Sequence, residues 1–130
     1  MRLPLSLFEF IVGFYVSIMQ LKLKREKLMN DITTIGVIGL GNAGTPILNN
    51  LNQTNKYKLV AFDIDTKKLN DVPDNVFKAT SVKDIAEQSN HVLTCLPKPE
   101  HVLKVVDGKD GLLQNSSKDM VWIDTSTTNF

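Results

Sequence analysis

A single cysteine, Cys95, in 130 residues excludes an internal disulfide framework. It stands in an apolar run and is expected as a buried core residue of a protein kept in a reducing compartment, a reading preferred to metal binding or nucleophilic chemistry. An excess of one charge is also missing. With 15 Lys and Arg against 14 Asp and Glu, the net charge is +1, so there is no electrostatic reason to expect nucleic acid as a partner. No internal repeat or low-complexity tract appears, and no metal site is assigned. What is present, 42% hydrophobic and 22% charged residues, is the makeup of one ordinary globular domain.

Ahead of that domain lies a leader, residues 1–31. Leu3 to Leu21 is strongly apolar and is followed at once by Lys22, Lys24, Arg25 and Lys27. Its length is near the lower limit for crossing a bilayer, and Glu9 lies inside it. As a membrane anchor, its basic C-terminal flank would hold the domain in the cytoplasm. A cleaved secretory signal is disfavoured because no small-residue cleavage pattern follows, and Glu9 with few arginines argues against a mitochondrial transit peptide. A further reading takes Met29 as the natural start and the leader as no part of the working protein.

The organising stretch is Thr34-Ile35-Gly36-Val37-Ile38-Gly39-Leu40-Gly41-Asn42-Ala43-Gly44. A β-branched apolar run suits a strand buried on both faces, and Ile47, Leu48 and Leu51 follow at helical spacing. Strand therefore turns into helix at Gly39-x-Gly41-x-x-Gly44. Gly39 permits the tight turn, Gly41 has no Cβ to hold a pyrophosphate off the backbone, and Gly44 lets helix and strand pack closely. The helix N-terminus offers free N–H groups to the anion. The next strand, Tyr57 to Phe62, ends in Asp63, nineteen residues after Gly44. A carboxylate there is placed to accept from the adenosine ribose hydroxyls and to repel a 2′-phosphate, which favours NAD over NADP.

Further on, Asp65 or Thr66 caps a short helix start that Val72-Pro73 breaks, and Val76 to Ala79 is a third strand. Ser81 with Asp84 opens a helix to Gln88 as a variant capping box. His91 to Leu96 is a fourth strand, stopped by Pro97. A helix from Glu100 to Val106 presents Val102, Leu103 and Val106 to the sheet. Met120 to Ile123 is the fifth strand, running into Asp124-Thr125-Ser126-Thr127-Thr128. Alternating strands and helices predict an α/β, Rossmann-like doubly wound parallel sheet of order 3-2-1-4-5, with the apolar N-terminal helix outside it. The ligand crevice is then expected just beyond the strand ends, at Gly39 to Gly44, Asp63, Leu96-Pro97 and Asp124 to Thr128. The hydroxyls of the last segment also suit local turn caps.

Gly39 to Pro46 with Asn50-Leu51, Thr94-Cys95-Leu96-Pro97, Gly108 to Leu113, and Ile123 to Thr128 together resemble the amino-terminal domain of the 3-hydroxyisobutyrate dehydrogenase-like β-hydroxyacid dehydrogenases. The resemblance covers roughly residues 32–130. It implies reversible hydride transfer between a nicotinamide and the hydroxyl-bearing carbon of a small 3-hydroxy acid. By the same resemblance, Leu40, Asn42 and Ala43 belong with the three glycines to the cofactor loop, and Leu96, Pro97, Thr127 and His101 contact the dinucleotide. Ser126 helps hold the substrate carboxylate.

Two departures stand out: Ala43 replaces the usual methionine, and Asn129-Phe130 stand where an apolar residue and proline are more common. The family's catalytic lysine belongs to a later, all-helical domain that also builds the substrate pocket and the dimer, and no lysine follows the fifth strand. No catalytic residue is therefore assigned within these 130 residues, and the chain is expected to be inactive or nearly so alone. A non-catalytic dinucleotide-binding or scaffold module is the alternative.

Overall fold

The computed structural model describes residues 4–126. It divides at Ile32/Thr33 into two units.

The first unit is a single helix, α1 (Leu5–Asn30). Over Leu5–Leu28 it has a mean hydropathy of 1.4 and is long and apolar enough to cross a membrane. Its apolar side chains do not form a stripe. Phe8, Phe10, Ile11, Val12, Phe14, Tyr15 and Val16 spread over about two thirds of the circumference, and Ser6, Glu9, Gly13 and Ser17 share the narrow remaining face.

The second unit carries a five-stranded parallel sheet of order β3-β2-β1-β4-β5, as the alternating pattern predicts. Its elements are β1 (Thr34–Ile38), α2 (Gly44–Gln53), β2 (Lys58–Phe62), a 3₁₀ turn (Thr66–Asp71), β3 (Phe77–Lys78), α3 (Val82–Gln88), β4 (His91–Thr94), α4 (Pro99–Asp107), α5 (Leu112–Asn115) and β5 (Val121–Asp124). Alternation along β1 divides the core. Ile35 and Val37 join Leu48 of α2, Leu59, Ala61 and Val72 on one face; Ile38 joins Val60, Ile85 and Ala86 of α3, Val92 and Leu112 of α5 on the other. Helices on both faces leave the carboxyl ends of the strands open.

Several elements differ in extent from the sequence reading. β4 stops at Thr94, because Cys95 N–H closes on the carbonyl of Ile38 at 2.9 Å, the last residue of β1, and β1 offers no further partner. Cys95 is consequently half-buried beyond the strand end, with Sγ 3.0 Å from Thr125 Oγ1, and is not the core residue expected. The segment after Asp65 tightens to 3₁₀, as suits six residues squeezed ahead of Val72-Pro73. Asp65 is its cap, accepting from Lys67 N–H at 3.1 Å. Along α4, Val102, Val105 and Val106 face the core, whereas Leu103 is 66% exposed. The i, i+3, i+4 spacing from Val102 selects Val105 and turns Leu103 a third of a circle away. The Ser81 cap holds as expected, accepting from Asp84 N–H at 3.0 Å, while Asp84 reaches back to Thr80 N–H at 2.9 Å.

Candidate dinucleotide-binding cleft

Three strand ends converge on the glycine turn. Gly39 N–H donates to the Phe62 carbonyl at 2.9 Å, and Gly39 sits at φ +95°, a conformation that side-chain-bearing residues rarely adopt. A Cβ on Gly44 would collide with the Gly39 carbonyl oxygen, so the helix can begin this close to the strand only with glycine there. A Cβ on Gly41 would stand in open space. Nothing in the fold requires glycine at 41; what it leaves clear is the approach to the backbone from the cleft.

The first turn of α2 carries no capping side chain and no acidic residue. Thr45 N–H is taken by the Gly41 carbonyl at 3.1 Å and Pro46 has none, so the N–H groups offered to an anion are those at Asn42, Ala43 and Gly44. Thr45, instead of capping, donates its hydroxyl to the Leu40 carbonyl at 3.0 Å and steadies the turn from behind.

Asp63 is 6% exposed and has work at both oxygens. Oδ2 accepts from Leu40 N–H at 2.7 Å and lies 3.5 Å from Lys68 Nζ; Oδ1 accepts from Asp65 N–H at 2.8 Å. The spacing marks Asp63 as a ribose ligand, and the geometry adds an attachment the spacing does not announce: it ties the glycine turn to the end of β2. Oδ1 still has a second lone-pair site, and the residue lines the cleft.

That cleft, about 920 Å³, runs along the carboxyl edge of the sheet. It brings together Gly39, Gly41, Asn42, Ala43, Asp63, Leu96, Pro97, His101 and Ser126 from the residues the sequence singles out. Leu40 and Gly44 lie outside its wall. The Leu40 side chain is 5% exposed in the core and its N–H serves Asp63, while Gly44 is buried against Gly39. Thr127 and Thr128 lie outside the described residues. Ser126 Oγ already accepts from Leu96 N–H at 2.9 Å, the local tie that hydroxyls after a strand commonly make.

The sequence reading missed the wall formed by Ile64, Thr80, Ser81 and Val82 on one side and Lys104, Val105 and Lys109 on the other. The rule that ligands gather beyond strand ends applies equally to β3 and would have found Thr80 and Ser81. Among the described residues no group of three or more His, Cys, Asp or Glu could hold a metal ion.

Residues 34–130 match the family model of the NAD binding domain of 6-phosphogluconate dehydrogenase. The chain belongs to that family.

This NAD-binding domain is similar to part of several larger proteins. It is 34% identical to mitochondrial 3-hydroxyisobutyrate dehydrogenase of Rattus norvegicus over 105 residues, 78% of this chain and 30% of that protein. A solved 3-hydroxyisobutyrate dehydrogenase of Mycobacterium tuberculosis, with L-serine, superposes with a TM-score of 0.66 at 26% identity, over 75% of this chain and 33% of that one. An imine reductase of Myxococcus stipitatus in complex with NADP+ shares the fold alone, at 13% identity and a TM-score of 0.62 over 72% of this chain and 32% of that one. The chain spans about a third of the length of the relatives it matches. Its amino-terminal position in 3-hydroxyisobutyrate dehydrogenase-like proteins fits a domain whose part in an oxidoreductase is to bind a nicotinamide dinucleotide.

Proposed function

We propose that this chain is the cofactor half of an NAD-dependent oxidoreductase that transfers a hydride to or from the hydroxyl-bearing carbon of a small 3-hydroxy acid. The observation that carries the reading is the bare backbone at Gly41, open to the cleft above the uncapped N-terminus of α2. There the N–H groups would bind the diphosphate, with Asp63 beside the adenosine ribose. The nicotinamide half would run toward Leu96, Pro97, His101 and Ser126. The dinucleotide, when bound, supplies or accepts the hydride; the chain binds it, orients it and shields one side from water.

NAD is favoured over NADP. Asp63 is a fixed anion beside the ribose, Ile64 next to it is 82% exposed and offers a phosphate no partner, and the Lys68 ammonium is already held by Asp63. The substrate pocket, the acid-base lysine and the dimer are assigned to a C-terminal helical domain, so the 130-residue chain turns over no hydroxy acid at ordinary enzyme rates. Ser126, near the cleft mouth, would meet the substrate carboxylate there. Calorimetric titration with NAD and NADP tests this: NAD binds more tightly. Equal binding of the two would refute the specificity given to this site, and a folded chain that binds neither would leave a scaffold role.

A membrane tether is favoured by one observation, the length and apolar character of α1 leading into Lys22, Lys24, Arg25 and Lys27. A helix that lay along a surface would need a broad, charged face, and the polar face of α1 is narrow, with Glu9 as its one charge up to Leu21. With its basic flank inside, it would hold the domain on the cytoplasmic side; without it, the domain is cytoplasmic. Co-flotation with neutral phosphatidylcholine vesicles at high salt separates insertion from charge-driven adhesion. A chain that stays at the bottom of the gradient counts against the tether.

A further inference from the structure

The segments that follow β4 and β5 are tied to each other more closely than strand pairing requires. Thr94, with no exposed surface, accepts from Trp122 Nε1–H at 3.0 Å and donates its hydroxyl to Oδ1 of Asp124 at 2.8 Å. The same Oδ1 accepts the backbone N–H of Ser126 at 3.0 Å. Ser126 Oγ accepts from Leu96 N–H at 2.9 Å and lies 3.4 Å from the Thr94 carbonyl, to which it donates. That carbonyl also takes Thr125 N–H at 2.9 Å and Thr125 Oγ1–H at 3.0 Å. Leu96, Pro97, Thr125 and Ser126 line the cleft, and Asp124 stands behind them.

We propose that Asp124 is a positioning residue: acting through Ser126, it fixes the Leu96–Pro97 and Thr125–Ser126 segments as one wall against the nicotinamide half of the dinucleotide. The proposal rests on the reading of the cleft given above. Loops that are ordered before a ligand arrives do not pay their ordering cost on binding, and a wall held by interlocked hydrogen bonds is ordered in that sense. The diphosphate and adenosine side of the cleft is built from Gly41, the start of α2, Asp63 and Ile64, none of which this network touches. Its effect should therefore fall on one half of the ligand only.

A second consequence is atomic. Both bonds to Asp124 end on Oδ1, so an amide oxygen in that place reproduces them and a methyl group does not.

The test titrates the 130-residue chain, in mild detergent, with NADH and with ADP-ribose, which lacks the nicotinamide. Asp124→Ala is expected to weaken NADH by roughly 3–10-fold while ADP-ribose stays within about twofold, and Asp124→Asn is expected to bind both like the parent. Ser126→Ala should weaken NADH in the same way. The double Ala variant should be no worse than the poorer single, as for two residues acting in series. Unchanged NADH binding by Asp124→Ala overturns the proposal. So does an equal loss of both ligands, which would make Asp124 an ordinary structural residue. If the parent binds neither ligand, the reading of the cleft fails first and the proposal with it, a result visible before any variant is made.

Discussion

The backbone N–H of Leu40 donates to Oδ2 of Asp63 at 2.7 Å, joining two residues 23 positions apart across the end of the sheet. Removing that acceptor strands a buried N–H, and the Asp65 N–H loses its partner as well. Asp63→Ala is therefore expected to lower stability by about 1–3 kcal/mol in urea denaturation and to weaken NAD more than NADP, narrowing the difference between them. A variant as stable as the parent would mean that the turn holds its shape without the carboxylate.

The roles of Gly41 and Gly44 separate cleanly by substitution. Gly44→Ala forces a methyl group into the Gly39 carbonyl and should unfold or strongly destabilise the domain, whereas Gly41→Ala meets open space. Gly41→Ala should melt within a few degrees of the parent and yet lose dinucleotide affinity by tenfold or more, about 1.4 kcal/mol. Parallel thermal melts and titrations read both; a Gly41→Ala chain that binds normally would remove the diphosphate from this turn.

Ile64 bears on the choice between cofactors alongside Asp63. At 82% exposure it can be exchanged with little cost to the core. Ile64→Arg should raise NADP affinity about tenfold through a guanidinium–phosphate contact and change NAD little. No gain for NADP would place the 2′ position elsewhere.

Asp124 carries the pH dependence. Burial alone would raise its carboxyl, but hydrogen bonds from Ser126 and Thr94 outweigh it and hold the group below the ordinary aspartate range. A depressed folded value means stability that is fully present above about pH 4 and is lost as the pH falls through the lower folded value. Thermal melts from neutral to strongly acid pH should show the parent's advantage over Asp124→Asn shrinking below pH 4, since the amide does not titrate. A constant difference would contradict the assignment.

The sheet order was legible because one glycine turn fixes where strand becomes helix, and each later apolar run repeats that alternation. The Ser81 cap was legible for a similar reason: donor and acceptor lie three residues apart. What escaped were relationships between distant parts of the chain. That Asp63 serves Leu40 is a backbone contact, to which no side-chain pattern points. That Cys95 falls outside β4 depends on where β1 ends. Leu103 and Val105 are equally apolar in composition, and only the angular position set by Val102 decides which one meets the core. The cleft was found where four strand ends were watched and missed at the fifth, beside Thr80.

β5 has one strand neighbour among the described residues, β4. Val121 and Thr125 direct their N–H groups to that neighbour, so the alternate residues Trp122 and Asp124 turn their peptide groups outward. Val121, Trp122 and Ile123 are 41–46% exposed along the same rim. Such a rim is a template for any extended peptide that meets it, so in a concentrated preparation this domain should recruit its own unfolded copies into fibrillar deposits unless something caps it.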